Sequence, residues 1–268
     1  NNYRYYKKSI FDFKLLDKLV KKNDYICHFA GIAEPEQYLK KTAKVIDLTI
    51  LPSFEIIKLS TKYKKKLIFT STSEIYGKNN KIPFSEEDDR VLGTTSKKRW
   101  CYSTAKAMVE HYIFANSIQS SLNFVIFRLF NVYGEGLYGR VVDEFIRKAK
   151  KNKTIYINGN GKQTRSFLHI DDCIDAFYKV VFDKKIKNQV FNVGNNKETS
   201  ILEFAKIVKK IINSKSKIVK NSNQLKKLGG YEDIKRRVPN INKLKKTINW
   251  KPRISLINGL KKTINKIS

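Results

Sequence analysis

A tyrosine and a lysine four residues apart, Tyr102 and Lys106, are the pair in this sequence with the clearest potential for chemistry. If the stretch around them is helical, both side chains lie on one face, one turn apart. A free tyrosine has a pKa of about 10, and a neighbouring ammonium group favours the phenolate and lowers that pKa. The pair is therefore a candidate general base. Taken alone, the spacing is more typical of an ordinary helix with one buried tyrosine and one solvated lysine.

We predict three short apolar runs to be buried strands, and polar residues follow two of them. Residues 25–29 and 67–69 are two of these runs, and the second leads into the polar cluster Thr72–Glu74. The third run, 124–129, is followed by Asn131. In a parallel sheet, ligands sit beyond the carboxyl ends of the strands, so we expect these polar groups to converge there.

Helical patterns alternate with the strands along the chain. We predict helices at 10–22, 45–63, 101–119, 141–149, 173–183, 200–212, 240–248 and from 255, and further strands at 154–157 and 190–193. Alternation of apolar strands with helices predicts an α/β fold with a parallel sheet covered on both faces.

Three details of the helix ends follow from residue type. Pro52 is compatible with the 45–63 helix only if it lies in the first turn. Asp171 and Asp172 are suitable N-cap residues for the 173–183 helix. Thr199 or Ser200 is expected to cap the helix at 200–212.

The composition is strongly basic: the 268 residues carry a net charge of +31, and 41% are hydrophobic. A charge of this size is one signature of a nucleic-acid-binding protein. The lysines are, however, spread along the whole chain, and no helix-turn-helix, RNA-binding aromatic motif or zinc-finger pattern is present. We therefore predict that nucleic acid is not the main ligand, and that the basic surface attracts anionic substrates such as nucleotide diphosphates.

Cysteine and histidine are few and scattered. The residues are Cys27, Cys101, Cys173, His28, His111 and His169. This spacing predicts no disulfide framework and no metal site, and it suits a reducing compartment. No apolar run approaches the roughly 20 residues of a membrane span, so we expect a cytoplasmic protein.

Several motifs recur in the order of a known family. They are His28-Phe29-Ala30-Gly31, Ser71-Thr72-Ser73-Glu74-Ile75-Tyr76-Gly77, Tyr102-x-x-x-Lys106, Arg128-Leu129-Phe130-Asn131-Val132-Tyr133-Gly134, Gly139-Arg140-Val141-Val142, Gly159-Asn160-Gly161-x-Gln163-Thr164-Arg165-Ser166-Phe167 and Phe191-Asn192-Val193-Gly194. Together they resemble the extended short-chain dehydrogenase/reductases, the NAD-dependent epimerase/dehydratases that act on nucleotide sugars. The resemblance covers nearly the whole chain.

The resemblance implies a Rossmann-like, doubly wound parallel sheet with a smaller C-terminal α/β substrate-binding domain. Residues 1–132 and 166–194 would form the NAD-binding domain, and residues 133–165 and 195–268 the nucleotide-sugar-binding domain. The family's glycine-rich phosphate turn is absent, because Gly31 is the first glycine of the chain. We therefore expect an amino-terminally truncated fold, lacking roughly 60 residues of a normal member.

The same resemblance implies which residues are catalytic and which bind the cofactor. Tyr102 would be the base for a sugar hydroxyl, and Lys106 would hold the nicotinamide ribose of NAD and lower the pKa of the tyrosine. Thr72 would hydrogen-bond the same sugar oxygen. Ala30 and Ser71 would contact the cofactor.

Substrate contacts are also implied. Asn131 and Arg165 match residues that bind the nucleotide diphosphate, which suits a guanidinium fork. Ser73 and Val142 would contact the substrate. Tyr156 lies where the family packs a residue near the base, although an aromatic at a β-edge in the core explains it equally well.

The pair Ser73-Glu74 favours one branch of the family. Dehydratases carry Asp-Glu there and are disfavoured, whereas Ser-Glu resembles the UDP-glucuronate decarboxylases. The tail, with Gly230–Pro239 and then Trp250-x-Pro252, resembles them too. Arg237 would face the substrate carboxylate, and Glu74 would order a water or proton near the reacting carbon.

Alternatives remain at this stage. Arg99-Trp100-Cys101-Tyr102-Ser103 resembles the lipid A-modifying decarboxylases, whereas Gly139-Arg140-Val141-Val142 resembles the UDP-xylose synthases. A nucleotide-sugar 4-epimerase is the second candidate, and a non-catalytic nucleotide-sugar-binding fragment is a third of another class.

The resemblance also suggests a homodimer formed through a helix bundle. Met108, Tyr112, Ala115 and the 45–63 helix would supply its face. Packing of these residues inside one domain is the alternative.

Overall fold

Apolar runs in the sequence form a parallel sheet at the centre of the molecule, seen in a computed structural model that describes residues 3–221 and 234–267. The strands are β1 (Tyr25–His28), β2 (Lys66–Thr72), β3 (Phe124–Leu129), β4 (Val132–Tyr133), β5 (Ile155–Asn158), β6 (Thr164–Arg165), β7 (Leu168–His169), β8 (Gln189–Val193), β9 (Thr199–Ser200) and β10 (Ile218–Asn221). Strands β1, β2, β3 and β8 lie side by side in that order, and each neighbouring pair is parallel.

Helices connect and cover these strands. They are α1 (Phe13–Lys22), α2 (Pro35–Lys40), α3 (Thr42–Lys62), α4 (Cys101–Ser120), α5 (Val141–Lys150), α6 (Ile170–Val181), α7 (Ile201–Ile212), α8 (Asn242–Ile248) and α9 (Leu256–Ile264). Short 3-10 helices span Ser73–Tyr76 and Lys98–Trp100. Within the described ranges, no helix combines the length and apolar character needed to cross a membrane.

The central sheet is buried on both faces because side chains alternate along each strand. Leu67 and Phe69 of β2 pack on one face with Ile57 of α3 and Val109 of α4. Ile68 of β2 packs on the other face, where α6 and the α8 region lie. This alternation explains why the strands read as continuous apolar runs in the sequence.

A second core lies beside the carboxyl end of the sheet. Helices α5, α7 and α9 contribute Phe145, Phe204 and Leu260 to it. Two small sheets belong to this region: β5 pairs with β10 in parallel, and β6 pairs with β9 in antiparallel fashion. Leu244 and Trp250, late in the chain, instead join the core of the central sheet. The division into two domains given above remains a prediction.

Two sequence-based expectations about helix structure are wrong. Pro52 lies in the middle of α3, not in its first turn. It is buried there, and the packing of α3 against α4 outweighs the local cost of a proline in a helix. The second expectation is a helix at 173–183 capped by Asp171 and Asp172. The observed helix, α6, begins at Ile170, and its N-cap is His169, whose ring accepts a hydrogen bond from Asp171 N at 3.2 Å.

Because His169 caps the helix, the Asp172 carboxylate can bind another part of the chain. It accepts hydrogen bonds from the backbone N–H groups of Arg253 and Ile254 at 3.1 and 2.9 Å. These bonds tie the segment before α9 to the start of α6. Part of the predicted polar loop, residues 222–233, lies outside the described residues, and with it Gly230–Asp233 of the tail motif.

Candidate active site

Tyr102 and Lys106 lie on one face of α4, as their spacing predicts, and both side chains are buried. The Tyr102 ring stacks on Tyr38 of α2, with ring centroids 4.8 Å apart and planes 11° from parallel. The Lys106 ammonium donates to Thr70 O at 2.8 Å and lies 4.5 Å above the Phe69 ring. Helix α4 thus carries both groups to the carboxyl end of β2.

Thr72 connects this helix to the end of β2. A side-chain hydrogen bond joins Thr72 to Tyr102. The same threonine oxygen accepts from Glu74 N at 3.2 Å and so caps the 3-10 helix Ser73–Tyr76. The structure therefore brings together three residues that the sequence placed in the candidate site.

Burial governs the protonation of the pair. It raises the pKa of the Tyr102 phenol, and the charge of Glu74 adds to this, while Arg140, Thr72 and Arg237 oppose it. Burial lowers the pKa of Lys106 to about 8. In this state the phenol is neutral near pH 7, and its ionisation needs stronger positive charge or hydrogen-bond donation than the described side chains supply.

Glu74 is the centre of a buried cluster of three charges. Its Oε2 accepts from Arg99 Nη1, and its Oε1 accepts from Arg237 Nη1 at 2.9 Å. Burial disfavours the carboxylate, but the charges and hydrogen bonds of the two arginines outweigh it and lower the pKa of Glu74 to about 2. Glu74 is therefore a fixed anion at neutral pH.

The two arginines reach Glu74 from different parts of the chain. Arg99 lies on the 3-10 helix just before α4, and its guanidinium lies 5.5 Å from the Trp100 ring. The segment carrying Arg237 is fixed at both ends: Thr164 N donates to Lys235 O at 3.0 Å, and Phe84 N donates to Val238 O at 2.9 Å.

One donor of this cluster is unsatisfied. The Nε of Arg237 is buried, and no hydrogen-bond partner for it lies among the residues that the structure describes. A buried donor without a partner costs about 1–3 kcal/mol, more when the group is charged. Such a donor beside Tyr102 indicates a place where a ligand oxygen could bind.

The two residues expected to bind the nucleotide diphosphate, Arg165 and Asn131, differ in their hydrogen bonding. Arg165 is buried, and its Nη1 donates to Thr164 O and Ile234 O, both at 2.8 Å. Asn131 Oδ1 is buried, and it too lacks a hydrogen-bond partner within 3–221 and 234–267.

Other expected substrate residues divide between core and surface. Ser73 is buried at the start of its 3-10 helix, and Val142 is buried in the second core. Tyr156 is 45% exposed on the outer face of β5, below the Lys148 ammonium at 5.4 Å. It is therefore not a core aromatic, and no described contact joins it to Tyr102.

The carboxyl ends of β1 and β2 offer groups for a dinucleotide. Ser71 Oγ is buried without a partner among the described residues. The Lys106 ammonium has three N–H donors, and Thr70 O takes one. Ala30 lies beside His28 in a cleft of about 270 Å³ between α1 and β1. These groups fit the ribose and nicotinamide end of NAD.

Sequence reasoning missed two contributors. Arg99 belongs to a motif that carries no predicted role, and its only signal is an arginine just before the helix of Tyr102. Tyr38 lies in α2, a helix of six residues that the pattern did not predict. Neither the stacking of Tyr38 nor the pairing of Arg99 has a local sequence signature.

Comparison with known proteins identifies the class. The sequence profile of the NAD dependent epimerase/dehydratase family matches residues 3–194. A UDP-N-acetyl-alpha-D-glucosaminuronate decarboxylase from Bacillus cytotoxicus is 36% identical over 248 residues, 91% of this chain and 76% of that protein. The chain therefore belongs to the NAD-dependent epimerase/dehydratase family, which confirms the predicted resemblance, and the family's cofactor is NAD.

Two further similarities bear on the fold and the reaction. The bifunctional polymyxin resistance protein ArnA of Wigglesworthia glossinidia brevipalpis is 36% identical over 260 residues, which are 88% of this chain but only 39% of that protein. The solved structure of UDP-glucose 4-epimerase from Thermotoga maritima, with UDP-glucose, has a TM-score of 0.88 and 25% identity, covering 99% of this chain and 84% of that one. The predicted Rossmann-like α/β fold is confirmed.

Proposed function

We propose that this chain is an NAD-dependent decarboxylase of a UDP-hexuronate. The observation that carries the proposal is the buried cluster of Arg99, Glu74 and Arg237 next to Tyr102. In this cluster one carboxylate accepts hydrogen bonds from two guanidinium groups. The buried Nε of Arg237 lacks a partner among the described residues.

A buried donor without a partner favours a ligand that supplies an acceptor. Isolated charges inside proteins are costly unless they are paired and hydrogen-bonded. A sugar carboxylate would supply an acceptor for Arg237 and place a negative charge beside its guanidinium. A neutral hexose can offer hydroxyl groups only, so the cluster favours a uronate over a neutral sugar.

Similarity supports the same substrate class. The relative from Bacillus cytotoxicus is named as a decarboxylase of a UDP-linked glucosaminuronate. The motifs of the sequence resemble UDP-glucuronate decarboxylases. We therefore propose UDP-glucuronate or its 2-acetamido counterpart as the substrate.

The first step would be oxidation of the sugar at C4. NAD, when bound, supplies the hydride acceptor. Tyr102 would take the proton of the C4 hydroxyl, with Thr72 holding the same oxygen. Lys106 would support the phenolate electrostatically, because a nearby ammonium favours the charged form.

Loss of carbon dioxide would follow from the 4-keto product, which is a β-keto acid. The electron pair of the breaking carbon–carbon bond moves toward the C4 ketone, and charge develops on that oxygen; a proton from water then adds to C5 to give the 4-keto-pentose. Tyr102 and Thr72 can donate hydrogen bonds to it, and such donors are typically worth about 3 kcal/mol. Arg237 would orient the leaving carboxylate.

Glu74 takes a different role here from the one that the sequence suggested. A carboxyl group with a pKa of about 2, held by two arginines, is a poor proton donor at neutral pH. We therefore propose that it acts as a counter-ion that fixes Arg237, instead of ordering a proton near the reacting carbon.

Product analysis tests the proposal. The chain is incubated with NAD and UDP-glucuronate or UDP-N-acetylglucosaminuronate, and the sugar products are identified by NMR. A pentose or 4-keto-pentose nucleotide supports the proposal. A hexuronate with inverted C4 and an intact carboxyl group supports the 4-epimerase alternative, which the Thermotoga maritima structure favours. Tight binding without turnover supports a non-catalytic nucleotide-sugar-binding protein.

We further propose a homodimer through α3 and α4. Leu51 of α3 and Met108 of α4 are exposed apolar residues, 51% and 48% accessible. Tyr112 is half-buried and stacks on Phe54 within the chain, so it contributes less to an outer face. Substituting Met108→Lys should convert dimer to monomer in light scattering, whereas Ile174→Lys, on exposed α6, should not. A monomeric unsubstituted chain would contradict this proposal.

A further inference from the structure

A third buried polar residue continues the line of Tyr102 and Lys106 along α4. Glu110 follows Lys106 by four residues, so the three side chains lie on one face of the helix, about one turn apart. Lys106 and Glu110 are only 3% and 4% exposed. An ammonium group and a carboxylate are thus neighbours inside the protein, at the same spacing as the candidate base and its lysine.

The carboxylate of Glu110 is held in place by Arg128 of β3. Arg128 Nε donates to both carboxylate oxygens at 3.2 Å, and its Nη2 donates to Oε2 at 2.7 Å. The Nη1 of Arg128 donates to Tyr76 Oη at 3.0 Å and to Glu86 O at 2.6 Å. Because the arginine is itself anchored, the Glu110 side chain is fixed on the face of α4 that carries Lys106.

The Lys106 ammonium lies in surroundings that disfavour its charge. Among the described residues it donates one hydrogen bond, to Thr70 O, and the Phe69 ring lies below it. The backbone of Gly31 lies close by, since a Cβ there would be 3.7 Å from Lys106 Nζ. A buried ammonium is costly unless an opposite charge compensates it. Burial lowers the pKa of Lys106 to about 8, and the charge of Glu110 opposes that shift.

We propose that Glu110 is a positioning residue for the reaction: its carboxylate keeps the Lys106 side chain in the ammonium form that supports Tyr102. The part of Lys106 in supporting Tyr102 rests on the proposed function. Glu110 lies about two helical turns from Tyr102, and it acts on the base only through Lys106.

The groups around this pair allow a pH-based test. The other charged or titratable groups near Lys106, Glu110 and the arginine that holds it are His28, Tyr76, Arg90, Tyr102 and Arg128. Burial and the lysine charge lower the pKa of His28 to about 3. Burial raises the pKa of Tyr102, and it raises that of Tyr76 to about 12. The arginines stay charged. Between about pH 6 and 9, the group of this set that titrates is therefore Lys106.

The first experiment follows the charge of Lys106 directly, in the unliganded chain. Lysine side chains are labelled with carbon-13, and the Cε signal is followed by NMR from about pH 6 to 10. The Lys106 signal is assigned by its absence in Lys106→Met. We expect a midpoint near pH 8 in the unsubstituted chain, and a midpoint about one pH unit lower in Glu110→Gln. An unchanged midpoint in Glu110→Gln would overturn the proposal.

Asp143→Asn is the matched control, since Asp143 is another buried carboxylate that an arginine holds. Its Oδ1 accepts from Arg147 Nε at 2.8 Å, but it lies on α5 and not on α4. The substitution should leave the midpoint of Lys106 unchanged. A fall of the same size in both variants would reflect a general effect of losing a buried carboxylate and would overturn the role of Glu110.

A double variant covers the case in which Glu110→Gln does not fold. In Glu110→Met combined with Arg128→Met, two apolar side chains replace the buried ion pair, a change that is often neutral or stabilising. The midpoint of Lys106 should still fall, because the carboxylate is the member of the pair that acts on it. The fall should be smaller, since the repulsion of Arg128 is lost as well. An unchanged or raised midpoint in the double variant would overturn the proposal.

Turnover tests the consequence of that charge. The kcat of Glu110→Gln is measured with NAD and UDP-glucuronate at two pH values. With a midpoint about one pH unit lower, kcat should fall about fivefold at about pH 8 and change little at about pH 6.5, where Lys106 is still charged. The KM for the sugar should stay the same. A loss of equal size at both pH values would reflect a purely structural role and would overturn the proposal.

Failure of the proposed function has a separate signature. If the unsubstituted chain forms no pentose product from UDP-glucuronate or its 2-acetamido counterpart, the decarboxylase assignment fails. The NMR titration needs no substrate. A lower midpoint in Glu110→Gln would then still support the action of Glu110 on Lys106, and an unchanged midpoint would still overturn it.

Discussion

Glu74 Oε1 accepts a hydrogen bond at 2.9 Å from Nη1 of Arg237, a residue 163 positions later in the chain. The bond joins the turn after β2 to the segment between β10 and α8. Glu74 and Arg237 are the two residues whose motifs favour a decarboxylase over other members of the family. The same bond changes the chemistry expected of Glu74, because a carboxylate so held serves as a counter-ion.

The depressed pKa of Glu74 predicts a pH-dependent contribution to stability. The folded value of about 2 lies below the ordinary 4.5, so ionised Glu74 stabilises the fold by about 3 kcal/mol above pH 4.5. That contribution is lost as the pH falls through about 2. Urea unfolding should show Glu74→Gln less stable than the unsubstituted chain at pH 7, with a smaller difference at about pH 3.5. A difference that grows on acidification would be inconsistent with this pairing.

The depressed pKa of Lys106 predicts a pH-dependent contribution to stability of the opposite sign. Its pKa of about 8, against an ordinary 10.5, means that the buried ammonium destabilises the fold below pH 8, and the penalty disappears as the pH rises toward 10.5. Lys106→Met should raise the free energy of unfolding at pH 7 by about 1–3 kcal/mol while removing activity.

Lys66 provides the matched control for that substitution. It is also buried, but its ammonium donates to Val181 O and Asp183 O at 3.0 and 3.1 Å. Burial lowers the pKa of Lys66 as well, but its two carbonyl acceptors offset more of that cost than Thr70 O alone does for Lys106. Lys66→Met should therefore raise the unfolding free energy less than Lys106→Met does. A loss of stability in Lys106→Met would contradict the account of Lys106 as a strained functional group.

Tyr102→Phe should abolish turnover and leave the fold intact. Phenylalanine keeps the stacking on Tyr38 and loses only the hydroxyl, so we expect unchanged circular dichroism and a fall in kcat of about 10²–10⁴-fold. Tyr112→Phe, ten residues on in the same helix and stacked on Phe54, is the control and should retain activity. Substantial activity in Tyr102→Phe would remove Tyr102 from the mechanism.

The elements whose signals are local could be predicted from the sequence. Strand β3 has the predicted bounds, 124–129, because five of its six residues are apolar and the polar Asn123 precedes them. Helix α7 begins after Ser200, one of the two predicted caps, whose Oγ accepts from Glu203 N at 3.1 Å. The rule for carboxyl ends of parallel strands predicted the position of Thr72–Glu74 and Asn131, whereas the association of Tyr102 with Thr72 came from the family resemblance.

The charge cluster could not be predicted from the sequence in the same way. Glu74 has two partners, 25 and 163 residues away, and no periodic pattern encodes a pair at such separation. The position of Pro52 in α3 could not be predicted from the local sequence either. Its local preference is against a helix interior, yet the packing of α3 on α4 decides the outcome.

The central claim is that this chain removes the carboxyl group of a UDP-hexuronate, with Arg237 holding that group. The most direct measurement supplies NAD and UDP-glucuronate or UDP-N-acetylglucosaminuronate, isotopically labelled at the carboxyl carbon, and follows labelled carbon dioxide by mass spectrometry. Arg236 is the matched control for Arg237, since it is adjacent and exposed and binds Glu198.

We predict release of labelled carbon dioxide from the unsubstituted chain and from Arg236→Met, and loss of that release in Arg237→Met. Retention of the label in a C4-inverted hexuronate would contradict the decarboxylase assignment. Equal release by Arg237→Met and the unsubstituted chain would contradict the role of Arg237.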